Sequence, residues 1–265
     1  MHAPFEGYVE TGKGPAFVRI RGEGPRLVVF HGGPGFDQEP LLDSLAGLQK
    51  HRTLVFFDQL GCGRTVAATE PVTAEATIAH AAALLDALGN EPVGAVAHSW
   101  GTVLAAAVAT LRPELGYREA MLISPVAFDN VGYDDARAAA ARRVPAEALE
   151  RMWAMLSEGR TGTEAFAEIS RYYAASPDAT LPPIPVAAPV FVSVDATLGT
   201  FDYWPAVERM GQITVVRGAN DYVATATIRP LLDHAADDIV MPDVGHYPFF
   251  EDPPGFAAAI EPIFG

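Results

Sequence analysis

Val93-Gly94-Ala95-Val96-Ala97-His98-Ser99-Trp100-Gly101-Thr102-Val103 is an apolar run that reaches a serine set between small residues and continues into an alanine-rich, helical stretch. The pattern predicts a strand, a tight turn and a helix, with one hydroxyl pushed out above the end of a sheet. Strand and helix nearly touch at such a turn, so the positions two before and two after the serine have no room for large side chains. Ala97 and Gly101 occupy them. Ser99 is therefore the candidate nucleophile, one methyl group away from the G-x-S-x-G signature. The alternative is an ordinary βα turn, which the same small residues also serve.

Upstream, Leu27-Val28-Val29-Phe30 reads as a buried strand that ends in His31-Gly32-Gly33-Pro34-Gly35. Acyl transfer needs two backbone NH groups aimed at a developing oxyanion, one following the nucleophile and one from a loop of this kind. Trp100 and Gly33 are the candidates for that oxyanion hole. Pro34 has no NH, and glycine admits a substrate close to the backbone. A phosphate loop fits less well, because neither G-x-G-x-x-G spacing nor a Lys-Ser/Thr pair is present. His31 is expected to hold the loop by hydrogen bonding.

The acid and base of such a site follow in the order Ser, Asp or Glu, His, each beyond the end of a strand. Ile213-Thr214-Val215-Val216-Arg217-Gly218 is β-branched, and Asp221 stands in the polar loop behind it. Asp238-Ile239-Val240-Met241-Pro242 makes a short last strand, after which Gly245-His246 supplies a histidine. Asp221 is read as the orienting acid and His246 as the general base, with Asp202 and Asp243 as second choices for the acid. His2, His51, His80 and His234 read as surface residues, and His98 as packing within the turn.

His31-Gly32-Gly33-Pro34-Gly35, Phe57-Asp58-Gln59-Leu60-Gly61-Cys62-Gly63-Arg64-Thr65, Ser99-Trp100-Gly101 and Gly245-His246 together resemble the proline iminopeptidase (prolyl aminopeptidase) group of α/β-hydrolases. The resemblance implies the oxyanion loop, a structural turn, the nucleophile and the base, in that order, and hence a serine hydrolase. It assigns the same five residues, Gly33, Trp100, Ser99, Asp221 and His246. The chain departs from the group's pattern at Leu60, where arginine is usual, and at Ala97-His98, which replaces a glycine pair.

Strands alternating with helices along the chain predict a mostly parallel twisted sheet covered on both faces, the α/β-hydrolase fold. Strands are expected around Gly7–Glu10, Ala16–Ile20, Leu54–Phe57 and Ala120–Ser124, and a helix over Ala74–Leu88. The alternation breaks after Pro125. Residues 129–200 read as a small helical cap between a first core part, 1–128, and a second, 201–265. A proline-rich connection runs from Leu181 to Pro189, and Val190–Val194 is open between a strand and a buried turn.

At 265 residues and 49% hydrophobic content the chain can bury a large core as one catalytic domain with an insertion. A formal net charge of −15 argues against nucleic acid or an anionic membrane as partner. The single cysteine, Cys62, excludes an intramolecular disulfide and suits a tight turn better than a second nucleophile. With no run of about 20 apolar residues and no signal-peptide pattern, a cytoplasmic location is the default expectation.

The expected chemistry is cleavage of a small amide or ester through an acyl-enzyme, requiring neither metal nor organic cofactor. The partner is a small molecule or a short peptide, and nothing in the chain reports an oligomeric state. An aminopeptidase needs a carboxylate for the substrate's ammonium group, for which Glu147, Glu150, Glu164 and Glu168 of the cap are candidates; arginines at helical spacing also suit them to a solvated face. Tyr172, Tyr173, Trp204 and Phe249 could wall an apolar pocket. A carboxylesterase, lactonase or thioesterase needs no ammonium recognition and is the alternative. A catalytically silent binding protein of the same fold is the reading from a different class.

Overall fold

The computed structural model describes residues 4–89, 93–114, 116–223 and 225–264. His2 lies outside them. Eight strands form one sheet in the order β1-β2-β4-β3-β5-β6-β7-β8. They are β1 (Phe5–Thr11), β2 (Gly14–Arg21), β3 (Arg26–Phe30), β4 (Thr53–Phe57), β5 (Gly94–His98), β6 (Glu119–Ile123), β7 (Gln212–Gly218) and β8 (Asp237–Met241). β1, β2 and β4 pair antiparallel, and every pairing from β4 through β3 to β8 is parallel.

Side chains alternate between two apolar layers, as the two-residue period of a strand requires. Val28, Phe30, Val55, Phe57, Ala95, Ala97, Leu122 and Val215 face one layer; Leu27, Val29, Leu54, Phe56, Val96, Met121, Ile123 and Val216 face the other. Central strands buried on both sides read as continuous apolar runs, which is why β3, β4 and β5 stand out in the sequence.

The helices are α1 (Glu39–Leu42), α2 (Ala74–Ala87), α3 (Trp100–Leu111), α4 (Asn130–Arg143), α5 (Ala146–Ser157), α6 (Gly162–Ser170), α7 (Ala188–Thr197), α8 (Trp204–Val207), α9 (Arg229–His234), α10 (Pro248–Glu251) and α11 (Pro253–Ile260). The first ten residues of α3 are all buried. Its alanines let it lie close to the sheet, between β3, α2 and α8. α2 starts where the Thr73 side chain accepts the Ala76 NH at 3.1 Å, and α6 opens with a capping box between Thr161 and Glu164. Each satisfies NH groups that have no partner within their own helix.

α4 to α7 lie in the long connection between β6 and β7. One element there differs from the sequence reading. Val190–Val194, left open between a strand and a buried turn, lies inside helix α7. Pro189 occupies its first turn, where a missing NH costs nothing. Val190 and Val194, four apart, are buried while Val192 is exposed, so packing on one helical face overrides the strand preference of β-branched residues. Phe201-Asp202-Tyr203-Trp204, read as a return to the core, leads into the short α8.

Candidate active site

Three loops at one end of the parallel strands bring together the residues read as nucleophile, base and acid. Ser99 follows β5 directly and caps α3 at φ 52°, ψ −123°, a backbone region that non-glycine residues rarely enter. Neighbours hold it there. Its NH donates to the Ile123 carbonyl at 3.0 Å, and its own carbonyl accepts from the Thr102 NH at 2.9 Å and the Thr102 hydroxyl at 2.7 Å. Gly101 has no alternative, since a Cβ there would stand 2.3 Å from the Phe30 carbonyl oxygen.

His246 Nε2 is 2.8 Å from Ser99 Oγ. Its Nδ1 is 3.0 Å from both carboxylate oxygens of Asp221. Asp221 sits in the turn after β7, where its Oδ1 also accepts the Val223 NH at 3.1 Å. Burial alone would push this carboxyl up. The facing His246 ring and the hydrogen bonds from that ring and from Val223 outweigh burial and hold it below the usual carboxylate value. The second-choice acids lie elsewhere: Asp202 accepts from the Trp204 NH, and Asp243 is exposed.

Glu251, which the sequence did not single out, sets the His246 loop. Its Oε2 accepts the NH groups of Gly245 and Ala175 at 3.0 and 2.7 Å, and its Oε1 accepts that of Tyr247 at 3.0 Å. The His246 NH donates to the Tyr173 carbonyl at 3.0 Å. Tyr222 is a second addition. Its hydroxyl lies 3.2 Å from His246 Nε2, the same nitrogen that faces Ser99, and burial pushes its phenol well above the ordinary value.

Gly33 and Trp100 line the same cavity as Ser99. Gly33 has φ 125°, which favours glycine. The Phe57–Thr65 motif anchors this loop to the elbow. The Gln59 NH donates to His31 Nε2 at 3.0 Å, its side-chain amide donates to the His31 carbonyl at 2.8 Å, and its Oε1 accepts the Trp100 indole NH at 3.0 Å. With Nε2 accepting, His31 Nδ1 carries the proton and donates to the Gly32 carbonyl at 2.8 Å. Asp58 closes the motif's turn through the NH of Arg64 at 2.8 Å and the side-chain amide of Gln38 at 2.9 Å. Cys62 is buried and burial pushes its thiol up, which keeps it out of its reactive form.

His98 stands behind the base, its Nε2 3.1 Å from the His246 carbonyl and its ring against Phe249 at 4.9 Å. Burial, then the neighbouring His246 ring, push its pKa down to about 3, so it is a neutral structural donor. His80, read as a surface residue, is buried in α2.

The cavity above Ser99 has a volume of about 410 Å³ and is walled by Phe36, Leu149, Met152, Phe166, Tyr173 and Phe191, among others. The four glutamates proposed from the sequence do not line it. Glu147 and Glu150 are exposed, Glu164 is used by the α6 cap and by Arg160, and Glu168 pairs with Arg151 at 2.8 Å. Each lies on the outer, charged side of an amphipathic helix whose apolar side faces inward. Tyr172, Phe249 and Trp204 also lie off the wall: Tyr172 stacks under Arg171, Phe249 backs His98, and the Trp204 indole donates to Asp129. Tyr173 is on the wall. Arg137 and Asp195, which were not foreseen, are on it as well, paired at 2.6 Å. Among the described residues no three His, Cys, Asp or Glu are grouped to hold a metal ion, and no helix is long and apolar enough to cross a membrane.

A sheet of this order, a strained serine after β5 and an acid and histidine after β7 and β8 define an α/β-hydrolase. Residues 27–259 match the sequence pattern of the Alpha/beta hydrolase family, and the chain belongs to that family. It is 30% identical to a proline iminopeptidase of Heyndrickxia coagulans over 167 residues, 61% of this chain and 57% of that protein. The match thus spans little more than half of that relative. Its fold is shared by a proline iminopeptidase-related protein from Thermus thermophilus, with TM-score 0.70, 24% identity and coverage of 98% of this chain and 97% of that one. An enol-lactonase from Burkholderia xenovorans shares it too, at TM-score 0.63 and 20% identity, covering 96% and 98%.

Proposed function

We propose that this chain is a serine hydrolase that cleaves a small ester or amide through an acyl-enzyme on Ser99. The observation that carries the reading is the continuous relay from Asp221 through His246 to Ser99, at 3.0 and 2.8 Å, opening onto a cavity of substrate size. Asp221 accepts the Nδ1 proton of His246 and so leaves Nε2 free to take the proton of Ser99 as its oxygen attacks the carbonyl. The NH groups of Gly33 and Trp100 would then meet the oxyanion, each worth on the order of 3 kcal/mol in the transition state. The imidazolium gives its proton to the leaving group. Water, deprotonated by the same ring, releases the acid and restores Ser99.

An uncharged acyl or alcohol part suits the wall best, because its two formal charges, Arg137 and Asp195, already neutralise each other. That favours an esterase, lactonase or thioesterase. The aminopeptidase reading rests on the relatives named proline iminopeptidase and on Asp195, the carboxylate available on the wall once it gives up Arg137. Aryl esters assayed beside proline arylamides separate the two. Ester turnover without arylamide turnover supports the first reading, whereas arylamide turnover lost in Asp195→Asn supports the second. Activity that survives Ser99→Ala overturns both.

A further inference from the structure

Five side chains of the cavity wall, Met152, Trp153, Phe166, Ile169 and Phe191, also wall a second, narrower pocket of about 30 Å³ between α5, α6 and α7. The remaining lining of that pocket includes Leu156, Ala165, Ala188 and Val192, and none of its residues carries an ionisable side chain. At its outer end Trp153 is 53% exposed and Val192 46% exposed. Single exposed apolar residues are ordinary. Here both line a small apolar pocket that shares five wall residues with the chamber above Ser99.

We propose that α5, α6 and α7 bind the straight aliphatic chain of an ester or thioester, threaded from Ser99 past Phe166 and Phe191 toward Trp153 and Val192. The inference rests on Ser99 being the nucleophile. The occupant is apolar, because a polar group placed there would lose its hydrogen bonds to water and gain none. It is slender, because the second pocket is about the size of one water molecule, whose share of liquid volume is roughly 30 Å³. It is of medium length, because 410 Å³ divided at that scale holds on the order of a dozen heavy-atom groups. A branched or aromatic chain would fill the first chamber and stop at the two phenylalanines. The chain belongs either to the acyl group or to the leaving alcohol, and the substrates used in the test tell these apart.

Two series are measured: aryl esters with straight acyl chains from acetyl to dodecanoyl, and acetates of straight-chain alcohols from ethanol to decanol. One series is expected to gain about fourfold in kcat/KM per methylene until the passage is filled, the gain for burying a methylene group. Two flat or falling series overturn the proposal. Ala188→Phe narrows the passage from a half-buried position, and Val192→Asp places a charge at its exposed mouth. In each, the decanoyl-to-butyryl ratio of kcat/KM, or its alcohol counterpart, should fall about tenfold; an unchanged ratio in both overturns the proposal. Ser99→Ala is assayed in parallel. If it is inactive while the series are flat, the chain site alone fails; if it retains turnover, the nucleophile and the chain site fail together.

Discussion

Ser99 combines a backbone conformation that costs on the order of 1–3 kcal/mol with a hydroxyl aimed at His246. β5, α3 and three hydrogen bonds to its backbone maintain that conformation, so the fold supplies the energy that points the side chain into the cavity. Asp221 contributes differently. Both its oxygens face Nδ1 of His246, and this determines which nitrogen bears the proton. Asp221→Asn keeps the shape but offers an NH₂ to that nitrogen, which favours the wrong tautomer. Steady-state kinetics with an aryl ester should show kcat lower by about 10⁴-fold with KM changed far less. A loss under tenfold would remove Asp221 from the mechanism.

Helices and loops set how these residues meet, and Glu251 on α10 shows the cost of one lost acceptor. It receives three backbone NH groups, two from the strand-end loop that carries His246 and one from Ala175. Glu251→Gln replaces one acceptor oxygen by a donor and leaves at least one buried NH unmatched, a penalty of about 1–3 kcal/mol. Thermal melting should register that loss, and kcat should drop with it because the imidazole is no longer held against Ser99. The sequence exposed only part of this level. β3, β5 and β7 were legible as apolar runs and β8 as a short last strand, and Ser99, Asp221 and His246 were legible because each follows the end of β5, β7 or β8 within a few residues. Glu251 and Tyr222 gave no signal, since their value lies in contacts made across folded loops. Val190–Val194 was ambiguous because five residues are too few to separate a two-residue from a 3.6-residue period when all are apolar or small. Glu147, Glu150, Glu164 and Glu168 stayed open between substrate recognition and a solvated face for a related reason: charge and helical spacing identify a face, but only packing decides which face looks at the cavity, and here it is the other one.

The molecule as a whole carries a formal net charge of −15 around a core that holds three histidines with lowered pKa values. His98 is pushed down to about 3, first by burial, and burial lowers His31 and His80 as well. An unfolded histidine takes up its proton near pH 6.5, so below about that pH the unfolded chain binds more protons than the folded one. Stability is therefore complete above about pH 6.5 and is lost as the pH falls toward the folded values. Asp37, whose carboxyl burial pushes up to about 6, acts with the opposite sign between roughly pH 4 and 6, and Asp195, which burial also raises, adds to it; these two carboxyls stand against three histidines and the lowered Asp221. The Tm should fall steadily from pH 6.5 to pH 4, and His98→Gln should flatten that slope; a Tm that holds or rises on acidification would contradict the account. A last consequence concerns engineering by module exchange. The histidine's own amide hangs from the Tyr173 carbonyl, and Ala175 shares the glutamate that steadies the histidine loop. Grafting in a relative's helices between β6 and β7, with the downstream junction beyond Ala175, therefore replaces part of the mounting of His246, the proposed general base, and the recipient's turnover number is expected to change along with its specificity.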